Sequence, residues 1–344
     1  MAHADNSGEG VRHFTRLDDF TPEQVNDLLD LARRLKQKPA RGDLASRSVG
    51  MLFFRGSLRT RSSFESAMHQ LGGRTIALAA ASDFWDLEVR EGRVMDGRAP
   101  EHIRDAAAVL SSYVSALAVR PPVEGQSWEV DRQDAHIRAW ARYARVPVIN
   151  MESALWHPLQ GLADLMTLNE KLGNLRGKRL TLAWVHSPQP ASAAVAHSLL
   201  FAGALAGMRL CVARPPGYEL DGSVMDEVRR VAGTTGAELE ERDELETAVE
   251  GAHVVYARSW MSLGDYDNPT LAASRRARFK DWRIDERLLA RGDNTRLMHA
   301  MPIRRNVEVT DEVLDGPRSL VYAQAENRLH SAKALLLMLL RHGS

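Results

Sequence analysis

The sequence predicts an α/β fold: two doubly wound parallel-sheet domains with an active-site cleft between them. Short apolar runs alternate with longer amphipathic segments, the pattern of strands joined by covering helices. The alternation runs through the first half of the chain and starts afresh in the second. With 344 residues, 44% of them hydrophobic, each half has material for a core.

The first helix is announced by "TPEQVNDLLDLARRLKQ", where Thr21 stands as N-cap, Pro22 at the first helical position and Gln24 three residues after the cap. Val25, Leu28, Leu29, Ala32 and Leu35 then recur on one face. Strands are expected at "VGMLFF", "TIALA", "VSALAV" and "VPVIN", with a helix over "SSFESAMHQLGG" that ends at Gly72. A division falls just beyond "VPVIN", putting residues 1–153 in a first domain and 154–325 in a second. "MESALWHPLQGLADLMTLNEKLG" supplies a short loop and then a helix. The second set of strands is expected at "LTLAWV", "MRLCVA", "AHVVYA", "LMHAM" and "SLVYA". A long apolar helix, 326–344, completes the first domain.

Acidic and basic residues balance at 45 each, so no global field draws the chain to nucleic acid or to an anionic membrane. The polar N-terminus "MAHADNSGEG" lacks a signal core, and no apolar run approaches the length of a membrane span. The one cysteine, Cys211, sits in a strand pattern, can form no intrachain disulfide and suits a cytoplasmic location. No metal is expected: there is no H-E-x-x-H, no cysteine pair and no ligand spacing among the histidines. Neither a Walker loop nor G-x-G-x-x-G is present, so no cofactor is expected, and G-x-S-x-G is absent too.

Charge has to be read locally. In "FFRGSLRTRSSFESAMHQLGG", Arg55, Arg59 and Arg61 crowd the point where a strand gives way to a helix. The free N–H groups and positive dipole end of a helix start make an anion site, and arginine's planar fork suits phosphate. A solvated helix cap with ordinary surface arginines is the alternative. Four further spots fall at the ends of apolar runs: Arg120 in "AVRPP", His157 and Gln160 in "WHPLQ", Arg258, Ser259, Trp260 and Ser262 in "VYARSWMSLGD", and His299, Arg304, Arg305 and Glu308 in "MHAMPIRRNVEVTDEV". Each alone is readily structural; their shared position at strand ends joins them. Such a site without metal or nucleophile suits direct attack on an activated phosphate compound, with catalysis by positioning and charge stabilisation.

These residues carry a resemblance. "SLRTRSSFE" resembles the S-x-R-T-R carbamoyl phosphate motif of the aspartate and ornithine transcarbamylase superfamily, "HPLQGLADLMTL" its H-P-x-Q segment, and "HAMPIRRNVEVTDEV" its H-C-L-P segment. The similarity runs from about residue 13 to 341 with the motifs in order. Within the superfamily, "VMDG", "VPVINMES", "VVYARSW" and "AENRLHSAKA" resemble the N-acetylornithine and N-succinylornithine transcarbamylases. The resemblance implies a first domain that binds carbamoyl phosphate, a second that binds the amine, and a homotrimer with active sites shared between subunits. It places Ser57, Leu58, Arg59 and Thr60 on the phosphate, and Arg120, His157 and Gln160 on the carbamoyl group. Trp85 matches the tryptophan lent by a neighbouring subunit, while Glu152, Arg258, Met301 and Arg328 line the acylornithine and carbamoyl pocket. Catalysis falls to Arg120, His157 and Thr60.

Departures refine the expected substrate. Ornithine enzymes carry an aspartate where this chain has Arg258, and a guanidinium there repels a free α-ammonium, so an acylated amine is expected. Pro100 stands where N-acetyl enzymes carry glutamate and N-succinyl enzymes proline, which favours N-succinyl-L-ornithine. Glu308 matches a lysine that is carboxylated in the N-acetyl enzymes, and Ala300 replaces the cysteine of H-C-L-P. Arg55-Gly56 replaces Asn-Pro, adding a charge to which the sequence assigns no purpose. The expected reaction is carbamoyl transfer to the δ-amine, giving N-acylcitrulline and phosphate in arginine biosynthesis. Alternatives are N-acetylornithine, ornithine or a specialised-metabolite amine as acceptor, or a non-catalytic carbamoyl phosphate binder.

Overall fold

The computed structural model describes residues 12–38, 42–292 and 294–341. The N-terminal stretch read as lacking a signal core, and residues 342–344 of the expected last helix, lie outside the described residues. The chain divides into two compact units. The first takes the chain up to Val123, then Gln133–Ser153 and everything from Leu329 onward; the second takes Glu124–Arg132 and Ala154–Arg328.

In the first unit, α1 (Pro22–Gln37) begins as its sequence demands. Thr21 Oγ1 accepts from the Gln24 N–H and Gln24 Oε1 from the Thr21 N–H, and Val25, Leu28, Leu29, Ala32 and Leu35 are all buried. Strand β1 (Ser48–Phe53) leads into α2 (Leu58–Gln70), and β2 (Arg74–Ala79) follows. Gly72, at φ 82°, makes the turn between them; a Cβ there would come within 2.8 Å of the Gly42 backbone. The short pair β3 (Leu87–Glu88) and β4 (Glu101–His102) forms its own ladder ahead of α3 (Ile103–Tyr113). Beyond β5 (Ala116–Arg120), the excursion carrying α4 (Trp128–Asp131) belongs with the second unit. It is tied there by Trp128 and Arg132 donating to Asp221, and by the Tyr266 hydroxyl donating to Asp131. The chain returns through α5 (Ala135–Tyr143) to β6 (Val148–Asn150). All main-sheet pairs are parallel, in the order β2-β1-β5-β6. The strand order therefore reverses between β1 and β5, whose last residues, Phe53 and Arg120, are register partners.

The second unit opens with α6 (Pro158–Leu172), buried at every position from Pro158 to Leu168. Its parallel sheet runs β11-β10-β7-β8-β9, built from β7 (Arg179–Trp184), β8 (Arg209–Ala213), β9 (Glu238–Arg242), β10 (Val254–Arg258) and β11 (Arg296–Met298). The interleaved helices are α7 (Ala194–Leu205), α8 (Gly222–Thr235), α9 (Leu245–Val249), α10 (Pro269–Arg276), α11 (Glu286–Leu289) and α12 (Asp311–Leu314). Here the order reverses between β7 and β10, and Trp184 pairs in register with Arg258. The two-domain parallel α/β architecture expected from the apolar alternation is what is found.

Three elements differ from the sequence expectation. The helix expected over 62–73 spans Leu58–Gln70, opening four residues early because Ser57 caps it through the Thr60 N–H. "SLVYA" is not a strand: only Ser319 bridges to Leu297, after which the chain enters α13 (Val321–Leu340), so the long helix starts five residues before Glu326. The edge strand β9, "ELEER", went unread because it is acidic rather than apolar. Its pairing is supported by charge, with Arg209 on Glu238 at 2.9 Å and Arg179 on Glu240 at 2.6 Å. No described helix is long and apolar enough to cross a membrane.

Candidate active site

A strand-order reversal opens space beyond the carboxyl ends of the flanking strands, and ligands of open α/β sheets bind there. In the first unit that point holds the arginine-rich turn. Ser57 caps α2, its Oγ accepting from the Thr60 N–H at 3.3 Å. Thr60 is buried, Ser57 and Arg59 are half-buried, and Leu58 is exposed. First-turn N–H groups and side-chain donors thus gather at the start of a helix of 13 residues.

Beside the turn, at the end of β5, Arg120 donates through Nη1 to the Met151 carbonyl at 3.2 Å. Its Nη2 pairs with Glu152 Oε2 at 2.6 Å. Arg120 Nε is buried and unpartnered among the described residues. Glu152 sits at φ 116°, a region rarely adopted by any residue but glycine. Arg55 answers the question its sequence raised. Its Nε donates to the Pro121 carbonyl at 3.0 Å and its Nη2 to the Glu152 carbonyl at 2.7 Å, clamping the loops after β5 and β6. The charge serves local architecture, and sequence reasoning missed it because both acceptors are backbone. Trp85 and Pro100 lie on the exposed segment between β2 and α3, with the Trp85 indole donating to Glu101 at 3.1 Å.

In the second unit, His157 precedes Pro158 at the head of α6, where Pro fits because its missing N–H has no helical acceptor anyway. The His157 N–H donates to Ser198 Oγ at 2.8 Å. One turn on, Gln160 accepts from Arg328 Nη1 at 2.8 Å through Oε1. Arg258 closes β10 at 6% exposure, its Nε buried and unpartnered among the described residues. After β11, the His299 ring accepts the Met301 N–H through Nδ1 at 2.9 Å, which leaves Nε2 as the protonated nitrogen, 3.1 Å from Glu308 Oε2. Burial would raise the Glu308 carboxyl, but His299, Ser187 and the Arg304 N–H together hold it below the ordinary carboxylate range. Ala300 is buried, and Met301 is half-buried at φ 38°. The neighbouring "HSPQP" loop is pinned by Arg276 on the Pro188 carbonyl and Arg304 on Gln189 Oε1.

Each unit thus gathers its own expected residues: Ser57, Thr60, Arg120 and Glu152 in the first, and Gln160 with Arg328 and His299 with Glu308 in the second. Asp164, Tyr256 and Gln324, which hydrogen-bond behind Gln160, were not singled out from sequence. The signal was a carboxylate four residues after Gln160 within the apolar stretch "LQGLADLM". Cys211 is buried in β8, and burial pushes its thiol up to about 12, which removes it as a nucleophile. Among the described residues no cluster of three His, Cys, Asp or Glu side chains is arranged to hold a metal.

Comparison with known proteins bears on both units. Residues 12–170 match the carbamoyl-P binding domain of aspartate/ornithine carbamoyltransferase, and residues 178–339 match its Asp/Orn binding domain. An N-acetylornithine carbamoyltransferase of Xylella fastidiosa (strain 9a5c) is 37% identical over 332 residues, spanning 96% of this chain and 98% of the relative. An ornithine carbamoyltransferase of Parafrankia sp. (strain EAN1pec) is 43% identical over 337 residues, spanning 96% of each. A crystal structure of acetylornithine transcarbamylase complexed with acetylcitrulline superposes with a TM-score of 0.94 at 37% identity, covering 97% of this chain and all of that one. A glutamate-to-proline mutant of N-acetyl-L-ornithine transcarbamylase, complexed with carbamyl phosphate and N-succinyl-L-norvaline, superposes at 0.93 and 37% identity over 96% of this chain and all of that one. With both family domains matched in order and relatives spanning nearly the full length, the chain belongs to the aspartate/ornithine carbamoyltransferase family and is a transferase of the carbamoyl group.

Proposed function

We propose that the protein carbamoylates the δ-amine of N-succinyl-L-ornithine, giving N-succinylcitrulline and phosphate, as a step of cytoplasmic arginine biosynthesis. The observation that carries the acylated substrate is Arg258, a buried guanidinium at the end of β10 whose Nε has no partner among the described residues. A free α-ammonium is repelled there, whereas an acyl carbonyl or a carboxylate is welcomed. Pro100 supports the succinyl group, because proline brings no charge to oppose a second carboxylate. The structurally similar glutamate-to-proline mutant that holds N-succinyl-L-norvaline supports the same preference.

In this reading Ser57, Leu58, Arg59 and Thr60 take the phosphate, with Trp85 supplied by a neighbouring subunit of a homotrimer. The amine, with a solution pKa of about 10.4 by analogy with lysine, must first shed its proton. Its lone pair then attacks the carbamoyl carbon. Negative charge collects on the carbonyl oxygen, where Arg120, His157 and Thr60 stabilise it. The C–N bond forms, the bond from carbon to the phosphate oxygen breaks, and the departing phosphate takes up the amine proton. Gln160 and Arg328 orient the carbamoyl group, while Glu152, Ala300, Met301 and Glu308 line the amine side.

A second reading, transfer to ornithine itself, is favoured by the Parafrankia relative at 43% identity. Product formation from carbamoyl phosphate with N-succinylornithine, N-acetylornithine and ornithine side by side separates the two. Preference for the succinyl substrate is expected; a higher kcat/KM for ornithine would replace the proposal with the second reading.

A further inference from the structure

One carboxyl is planted in the buried body of α6. Asp164 is 1% exposed, and an acid in such a place is costly unless its hydrogen bonds are met. A leucine would pack there without that cost, so the carboxyl is to be explained by what it holds. Its Oδ1 accepts from Gln160 Nε2 at 2.8 Å and from Gln324 Nε2 at 2.6 Å, and its Oδ2 lies 3.1 Å from the Tyr256 hydroxyl. A glutamine side chain has nearly the same shape with its amide turned either way. Here the carboxyl oxygen claims both nitrogens, so both amide oxygens must face outward from it. Gln160 Oε1 then accepts from Arg328 Nη1 at 2.8 Å, and Gln324 Oε1 from the His299 N–H at 2.9 Å.

We propose that Asp164 is a positioning residue for carbamoyl transfer, fixing the amide orientation of Gln160 and Gln324 and, through them, the Arg328 guanidinium and the backbone at His299. One acceptor atom thereby orders groups contributed by α6, α13 and the loop after β11. Burial pushes the Asp164 carboxyl up to about 7, against hydrogen bonds from Gln160, Gln324 and Tyr256 and the charge of Arg328. A proton on Oδ2 leaves Oδ1 an acceptor, so the hub works in either protonation state. The functional consequence rests on the carbamoyl-transfer reading; the ordering of side chains does not.

The test uses Asp164→Ala and Asp164→Asn in the full chain. Asparagine keeps one oxygen for both glutamine nitrogens and offers an N–H to Tyr256. A misplaced carbamoyl-binding group is expected to lower kcat of Asp164→Ala by about a hundredfold, with Asp164→Asn recovering activity to within about tenfold of wild type. Affinity for inorganic phosphate by calorimetry, a property of the α2 mouth, stays unchanged in both. An Asp164→Ala enzyme that unfolds cooperatively yet keeps wild-type kcat would overturn the proposal. If Asp164→Ala does not fold, Gln324→Leu takes its place, with the same loss of kcat expected and wild-type kcat again overturning it. Should wild type carbamoylate no amine at all, the functional reading fails by itself. A crystal structure of the variant that folds then decides the positioning claim: displaced Gln160 and Arg328 side chains uphold it for Asp164→Ala and a displaced His299 backbone for Gln324→Leu, and wild-type placement refutes it.

Discussion

Arg55 shows how one side chain can tie two loops together through their backbone. Its guanidinium bridges the Pro121 and Glu152 carbonyls, and the second of these belongs to a residue at φ 116° whose carboxylate also holds Arg120. Arg55→Met keeps the aliphatic stem but leaves two carbonyls short of a donor. The expected loss is about 1–3 kcal/mol, read by chemical denaturation; an unchanged midpoint would show that the clamp is idle. Removing one partner of the adjacent buried pair should cost more. Glu152→Gln is expected to lower stability by about 3 kcal/mol or more, because Arg120 is then buried against a neutral group. Sequence signalled that these arginines were dense and put a helix just after them, but the helix opens at Leu58, with Ser57 as its cap and Thr60 in its first turn. It could not show that Arg55 faces backbone while Arg120 meets Glu152. Such contacts join residues about 30 to 100 positions apart, and no local pattern encodes them.

Among the elements, α1 and α6 represent two kinds of legibility. The cap, proline and apolar face of α1 lie within its own 16 residues, so its start could be read directly. Thr21→Ala should cost about 1 kcal/mol by denaturation, since Gln24 loses its reciprocal partner. By contrast, α6 is buried all round from Pro158 to Leu168, and what distinguishes Gln160 and Asp164 is set by neighbours from β10 and α13. Asp164 also makes stability depend on pH. Its folded value of about 7 lies above the ordinary 3.8, so the folded state binds the extra proton between those limits. The group's favourable contribution is complete below about pH 4, declines as pH rises towards 7 and is gone above it. Asp164→Asn should lack that decline, and its stability relative to wild type should grow between pH 5 and pH 7 and then level off. Denaturation midpoints that move in parallel for the two proteins across this range would refute the buried-acid reading. The strand misreadings follow the same division. "SLVYA" is locally strand-like but is drawn into α13, whereas acidic β9 is held as an edge strand by its ladder with β8, its glutamates met by Arg209 and Arg179.

At the scale of the molecule, the proposal of shared active sites makes its own demand. Native mass should be three times the 38.3 kDa chain, and a monomer by light scattering would remove the arrangement. Trp85→Ala and Arg120→Ala proteins, each inactive alone, should regain activity when their subunits are exchanged. No recovery after verified exchange would refute a Trp85 lent between subunits. The two parallel sheets were legible because βα alternation is periodic, whereas their strand orders, set by contacts between distant segments, were not read. The excursion at 124–132 was not, since its attachment rests on Asp221 and Tyr266, roughly 90 and 135 residues away.

The last helix gives the first unit a long wait. Lys333, buried in α13, donates to the Leu35 carbonyl at 3.4 Å and to Gln70 Oε1 at 3.0 Å, across separations of 298 and 263 residues. On a translating ribosome α1 and α2 emerge before the second unit, but the segment from Leu329 that closes their unit follows all of it. The unit begun first is therefore finished after the one begun second. Nascent chains stalled before Leu329 should expose a protease-sensitive first unit that becomes resistant once α13 is released.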